Sequence, residues 1–199
     1  MDVSFGGSLG TAAFEHVRKV LHPAILAHSI RVWLIADHAV GRLSPLSAEE
    51  REALAVACLF HDAGTATIYD GPQRFEVEGA DAASGFLAER DVAPELRRQV
   101  WEAIALHTSP GIAERMGPLT RFVRLGVTVD FGSDTGAISE DLRAALGQFP
   151  RADIEVVLGD AVVAQAVRRP NKAPASSWPG GLLVAHLADP GHTGVNEAF

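Results

Sequence analysis

Apolar positions recur at helical spacing through most of the chain. Phe14, Val17, Val20 and Leu21 share one face, and Thr11 is placed to cap a helix over about 11–21. Pro23 suits a first helical turn. Behind it Ile25, Leu26, Ile30, Val32, Trp33 and Ile35 form an apolar surface wide enough for a buried central helix ending near Gly41. Ser47 followed by Glu50 is a capping box, and it opens a third helix through Leu54, Val56, Leu59 and Phe60 that stops near Gly64. Residues 65–77 read as a loop around the Asp70-Gly71-Pro72 turn. Further helices are expected over about 79–90, 94–107, 119–131, 140–146 and 152–168.

Val127-Thr128-Val129 is the only strand-like stretch, and it is too short to build a sheet. No internal repeat and no boundary precedes Pro170. The expected fold class is all-α. One helical bundle covers 1–169, and an irregular Pro- and Gly-rich tail over 170–199 packs on or trails the same domain.

The 199 residues are 47% apolar and 21% charged, which fits a globular chain and excludes a disordered one. Seventeen Lys and Arg stand against 25 Asp and Glu, for a net charge of −8. That balance argues against a nucleic-acid backbone as partner, because the densest basic segments are the pairs Arg97-Arg98 and Arg168-Arg169. No apolar run is long enough for a membrane helix. The opening MDVSFGGSLG lacks a basic segment followed by an apolar run, so no signal peptide is expected. The one cysteine, Cys58, forms no intrachain disulfide and fits a reducing compartment, so a cytoplasmic location is expected. The expected partner is a small-molecule substrate, and self-association into a homo-oligomer is left open.

Of eight histidines, His16, His22, His38, His186 and His192 are isolated and expected to be structural. His61-Asp62 differs, because it follows the apolar run Ala57-Cys58-Leu59-Phe60. A carboxylate buried there needs a partner, and a bound cation is one. The competing role for the pair is a backbone cap beside a space-filling ring. His28 sits mid-helix among Ile25, Leu26, Ile30 and Val32, where a polar ring needs a specific partner. Asp130 repeats the pattern between Val129 and Phe131. Two imidazoles and two carboxylates in apolar surroundings suit Zn, Fe or Mn and leave room for water.

In order and context, His28, His61-Asp62 and Asp130 resemble the H…HD…D signature of the HD-domain metalloproteins. His28-Ser29-Ile30-Arg31-Val32 and Leu59-Phe60-His61-Asp62-Ala63-Gly64 are similar to two helices of that family. A narrower resemblance, to the cyanamide-hydratase-like branch, runs through residues 74–83 and 100–113. It continues at Phe149-Pro150-Arg151, Gln165, Arg169-Pro170, Ala173-Pro174 and Ser177-Trp178-Pro179. The resemblance implies an all-helical fold and His28, His61, Asp62 and Asp130 as metal ligands. It also implies an enzyme, hydratase or hydrolase, that adds water to a small C–N substrate of the cyanamide or nitrile type.

Two-metal relatives carry a further histidine in a His-Glu-x-x-Gly-Ala context, which reads Phe75-Glu76-Val77-Glu78-Gly79-Ala80 here. Phenylalanine binds no metal, so one divalent ion is expected. His107 is then free for catalysis alongside Asp62, its competing role being a helix-end residue interacting with the dipole. Phe75 is expected to close an apolar pocket. Glu76, Thr65 and Thr108 are candidate substrate contacts, though acids at a helix start and threonines at helix ends also serve local structure. Cys58 reads as a small core hydrophobe.

Two rival functions stand beside this one. An HD-type phosphohydrolase acting on a nucleotide or phosphoester needs cations around the phosphate. Arg31, Arg74 and Lys172 are candidates, with no phosphate loop to gather them. A non-catalytic, metal-stabilised binding domain would keep the same ligands.

Overall fold

Every long periodic segment folds as a helix. The computed structural model describes residues 3–132 and 138–199. Among them the helices are α1 (Ser8–Val17), α2 (Pro23–Leu43), α3 (Ala48–Phe60), α4 (Phe75–Ala88), α5 (Pro94–Ala105), α6 (Pro118–Asp130), α7 (Glu140–Leu146), α8 (Ile154–Arg168) and α9 (Trp178–Ala188). No strand occurs among the described residues, so Val127-Thr128-Val129 is helical. There the packing of α6 against α2 overrides the β-branched preference.

The capping box forms as the sequence requires. Ser47 Oγ accepts the Glu50 backbone N–H at 3.2 Å, and the Glu50 carboxylate accepts that of Ser47 at 2.8 Å. α3 then runs through the centre of the bundle, with Ala53 to Phe60 wholly buried. α1, α2, α4, α5 and α6 all pack against it. Burying a Leu or Phe side chain contributes roughly 1.5–3 kcal/mol, so α3 is the main apolar anchor of the fold.

Two glycines set the approach of elements around the site. A Cβ on Gly126 would stand 2.6 Å from the Val32 carbonyl oxygen, so α6 crosses α2 at backbone contact. One turn further, the same antiparallel crossing puts Asp130 opposite His28. A Cβ on Gly64 would fall 1.9 Å from the Phe75 carbonyl oxygen, which seats the turn after α3 on the start of α4.

Several boundaries differ from the sequence reading, and α1 and α3 end at Val17 and Phe60, short of the expected Leu21 and Gly64. α1 starts at Ser8 because the Leu9 N–H donates to Glu52 on α3 at 2.6 Å, a cap supplied from a distant segment. Thr11 lies inside that helix, its hydroxyl donating to the Gly7 carbonyl. α4 starts at Phe75, inside the expected loop, where that ring is buried in the core. α5 ends at Ala105, leaving His107 just beyond it. α8 starts at Ile154 because Ala152, with φ of 45°, is left-handed and outside the helix.

The tail is more regular than its composition suggests. Ser177 caps α9 through the Gly180 N–H at 3.2 Å, and α9 packs on α8. Before it, the turn at Asp70 is clasped from the end of α8. Lys172 donates to the Asp70 carboxylate at 2.6 Å and to the Gly71 carbonyl at 2.8 Å, and Arg169 donates to the Gly71 and Asp70 carbonyls at 3.0 Å. No helix among the described residues is long and apolar enough to cross a membrane.

Candidate metal centre

α3 ends at Phe60, and its last turn delivers His61 and Asp62 to the centre of the molecule. Both are buried, with Asp62 1% exposed. α2 brings His28, wholly buried, to the same point. Nε2 of His28 lies 3.1 Å from Nε2 of His61, and these nitrogens stand 3.6 and 3.2 Å from Asp62 Oδ2. The segment after α5 brings in His107, whose Nε2 is 3.5 Å from Asp62 Oδ1.

Each ring is oriented through its other nitrogen. His61 Nδ1 is 2.7 Å from the Cys58 carbonyl, His107 Nδ1 is 2.6 Å from the Ile104 carbonyl, and His28 Nδ1 is 2.6 Å from Asp130 Oδ2. Carbonyls and carboxylates only accept, so Nδ1 is the donor in all three rings. In their neutral form the rings therefore turn bare Nε2 lone pairs toward Asp62.

That arrangement sets acceptors against acceptors. Asp62 Oδ2 is buried and has no hydrogen-bond partner among the described residues. An orphaned buried carboxylate oxygen is costly, and a cation shared by Asp62 and the Nε2 atoms relieves the conflict. His28, His61 and Asp62 each offer a ligand atom, all within 4.8 Å of one another. Buried imidazole and carboxylate donors suit a divalent ion of the zinc, iron or manganese type.

Charge in the site follows the same geometry. Burial lowers the pKa of His28, which keeps the ring neutral. Burial would also lower His61, but Asp62 beside it outweighs that and raises it. Burial would raise the Asp62 carboxyl, yet the charge of a protonated His61 and hydrogen bonds from Nε2–H of His107 and His61 hold it well below the usual carboxylate range, a role that falls to a cation when those nitrogens are bare. Burial opposes ionisation of Asp130 as well, but His28 and Arg31 hold it at about 2.

Asp130 stands apart from the other expected ligands. Its carboxylate lies behind His28 and takes a two-pronged contact from Arg31, at 2.7 and 2.8 Å. The three-residue ligand group does not include it. A carboxylate behind a metal-binding imidazole fixes the ring and raises its basicity. Arg31 also donates to the carbonyls of Phe149 and Pro150, so it is fully engaged. Spacing put Arg31 on the His28 face of α2, three residues on, but only the crossing with α6 sets it against Asp130.

A cavity of 740 Å³ opens over the cluster. His28, His61, Asp62, His107 and Thr108 line it. The other candidate substrate contacts are elsewhere. Thr65 donates to the Asp62 carbonyl at 2.6 Å and holds the turn after α3. Glu76 is wholly buried and is satisfied by Arg74 at 2.6 Å and by Thr108 at 2.7 Å. Phe75 sits behind the site, its ring centroid 5.8 Å from that of His107. Lys172 is buried against Asp70 and does not reach the cavity.

Sequence reasoning missed several lining residues: Arg124, Phe131, Trp178 and Phe199. Trp178 and Phe199 come from the tail, and its packing on α8 brings them against Phe75 and Phe131. Aromatic residues in a Pro- and Gly-rich segment were the available signal.

The chain belongs to the HD-domain family, whose model matches residues 25–145 and so spans the His28, His61-Asp62 and Asp130 segments. A comparison with curated proteins found no match. Members of this family are typically metal-dependent hydrolases, and the buried histidine–aspartate cluster is compatible with that class.

Proposed function

We propose that the protein is a metal-dependent hydratase or hydrolase that adds water to an uncharged or weakly charged C–N substrate, using a single divalent ion. A divalent ion held by His28, His61 and Asp62 would supply a water of lowered pKa and polarise the substrate. His107 lies 3.5 Å from Asp62 on the cavity wall, where a bare Nε2 can accept and return a proton. Asp130 and Arg31 hold His28 in register. Thr108 offers its hydroxyl oxygen at the wall while donating to Glu76. The aromatic wall excludes water from one side.

The observation that favours an uncharged substrate is charge balance at the wall, and the C–N class follows from the resemblance of residues 74–83 and 100–113 to the cyanamide-hydratase-like branch. Arg74 is matched by Glu76, and Arg124 is matched by Glu114 at 3.0 Å. Glu155 is matched by Arg151. A phosphoester needs cations beyond the one metal ion for its oxygens. Among the described lining residues, each arginine already has its own carboxylate. The single buried Cys58 supports a reducing compartment such as the cytoplasm.

Turnover on a substrate panel tests the reading. Cyanamide, simple nitriles, a nucleoside monophosphate and a generic phosphoester are offered to Zn-, Fe- and Mn-loaded protein. Products of water addition to the C–N compounds, lost in Asp62→Asn, are expected. Asp62-dependent phosphate release with no C–N turnover would overturn the substrate class.

A further inference from the structure

The cavity is far larger than a substrate of a few atoms requires. At 740 Å³ it falls in the range that encloses a drug-sized ligand. Much of its wall is aromatic. Phe131 packs 4.7 Å from His28, Phe199 packs 5.0 Å from Phe131, and Trp178 packs 5.4 Å from Phe199. Phe75 and His107 return this chain of rings to His61, whose centroid is 5.0 Å from that of His107. Aromatic rings thus run in contact from the ligand histidines through the cavity wall, with Phe75 closing the chain from behind it.

Three of these rings are only half buried and line the open space: Phe131, Trp178 and Phe199. Phe199 meets Phe131 at 75° and Trp178 at 78°, so none of the three is stacked parallel on its neighbour. Their positions are fixed from behind. Asn196 donates to the Leu182 carbonyl at 3.1 Å, and Phe199 approaches Gly159 of α8. Ser177 caps α9 directly before Trp178. Prepositioned ring surface binds a flat ligand without an ordering cost.

We infer that the cavity holds a subsite for a planar aromatic or heteroaromatic ring, seated on Phe131, Trp178 and Phe199, with the reacting C–N group of the same molecule directed at the histidine–aspartate cluster. This inference rests on the proposed C–N chemistry for what reacts, and on the cavity wall alone for what binds. Ser109, Ser176 and Ser177 also line the cavity and suit ring heteroatoms or polar substituents.

The test is calorimetric titration of the metal-loaded full chain with benzonitrile and 4-cyanopyridine, against acetonitrile and cyanamide. The aromatic probes should bind at least about tenfold more tightly than the small ones. They should also quench the emission of Trp178, since Trp33 is wholly buried and Trp101 is tied to Asp81. Trp178→Ala and Phe199→Ala should each weaken the aromatic probes by about tenfold, with metal content unchanged and the small probes weakened far less. If Trp178→Ala fails to fold, Phe199→Ala decides. Equal affinity for aromatic and small probes would overturn the subsite, as would variants that bind the aromatic probes like the parent. Tight aromatic binding without water addition to any nitrile upholds the subsite and removes the C–N reading. Cyanamide turnover with no aromatic binding does the reverse.

Discussion

Nδ1 of His28 donates to Asp130 at 2.6 Å, on the side of the ring away from Asp62. The two residues lie on α2 and α6, brought together where Gly126 meets Val32. We therefore propose that Asp130 acts on a metal through His28. Asp130→Asn should keep some metal binding yet weaken it about 10–100-fold, the usual effect of losing such a supporting carboxylate. Chelator competition measures this. Loss of all binding, as severe as in His61→Ala, would instead make Asp130 a direct ligand.

Removing the carboxylate entirely should also cost stability. Arg31 is 2% exposed and depends on Asp130 for its charge partner. Breaking a buried pair by deleting one partner costs about 3–5 kcal/mol. Asp130→Ala should therefore be less stable than the double variant Asp130→Ala/Arg31→Met, as urea melts of both will show.

Metal removal should lower the melting temperature. Without an ion, Asp62 Oδ2 stays buried with no partner. A ligand at 100-fold its Kd stabilises the native state by about 2.7 kcal/mol, worth roughly 5–10 °C for a chain of this size. A scan after verified chelation checks this, and an unchanged melting temperature would refute it.

The Asp70 clasp predicts a pH dependence. Burial would raise its carboxyl, but Lys172 and Arg168 and Arg169 hold it below the usual value. A folded-state pKa below the unfolded value of ~3.9 gives stability that is fully present above pH ~4. That stability is lost as pH falls through the lowered folded value. Asp70→Asn should cost about 1.5–3 kcal/mol at pH 7, as for a lost charged hydrogen bond. The deficit relative to the parent should shrink steadily below pH ~4 in parallel thermal melts.

His107→Ala should retain its metal and its fold while turnover falls about 10²–10⁴-fold, the usual scale of a positioned proton carrier. Loss of metal would show that His107 is a ligand. Retention of both metal and full turnover would move the proton-transfer role elsewhere.

Much of this was legible in the chain because it is local. Ser47 and Glu50 specify the start of α3, and His28, His61 and Asp62 stand out as polar groups inside apolar runs. What was not legible depends on partners far away in sequence. Glu52 extends α1 from across the bundle. Arg31 was readable as a cation but not as the clamp on Asp130, because the α2–α6 crossing creates that contact. Trp178 and Phe199 become cavity wall only after α9 docks on α8.

Metal analysis of the purified chain tests the central claim most directly. The account predicts one divalent ion per chain in the parent, and occupancy near zero in His61→Ala that remains folded by circular dichroism. Full occupancy in folded His61→Ala, or two ions per chain in the parent, would contradict a single centre built on His28, His61 and Asp62.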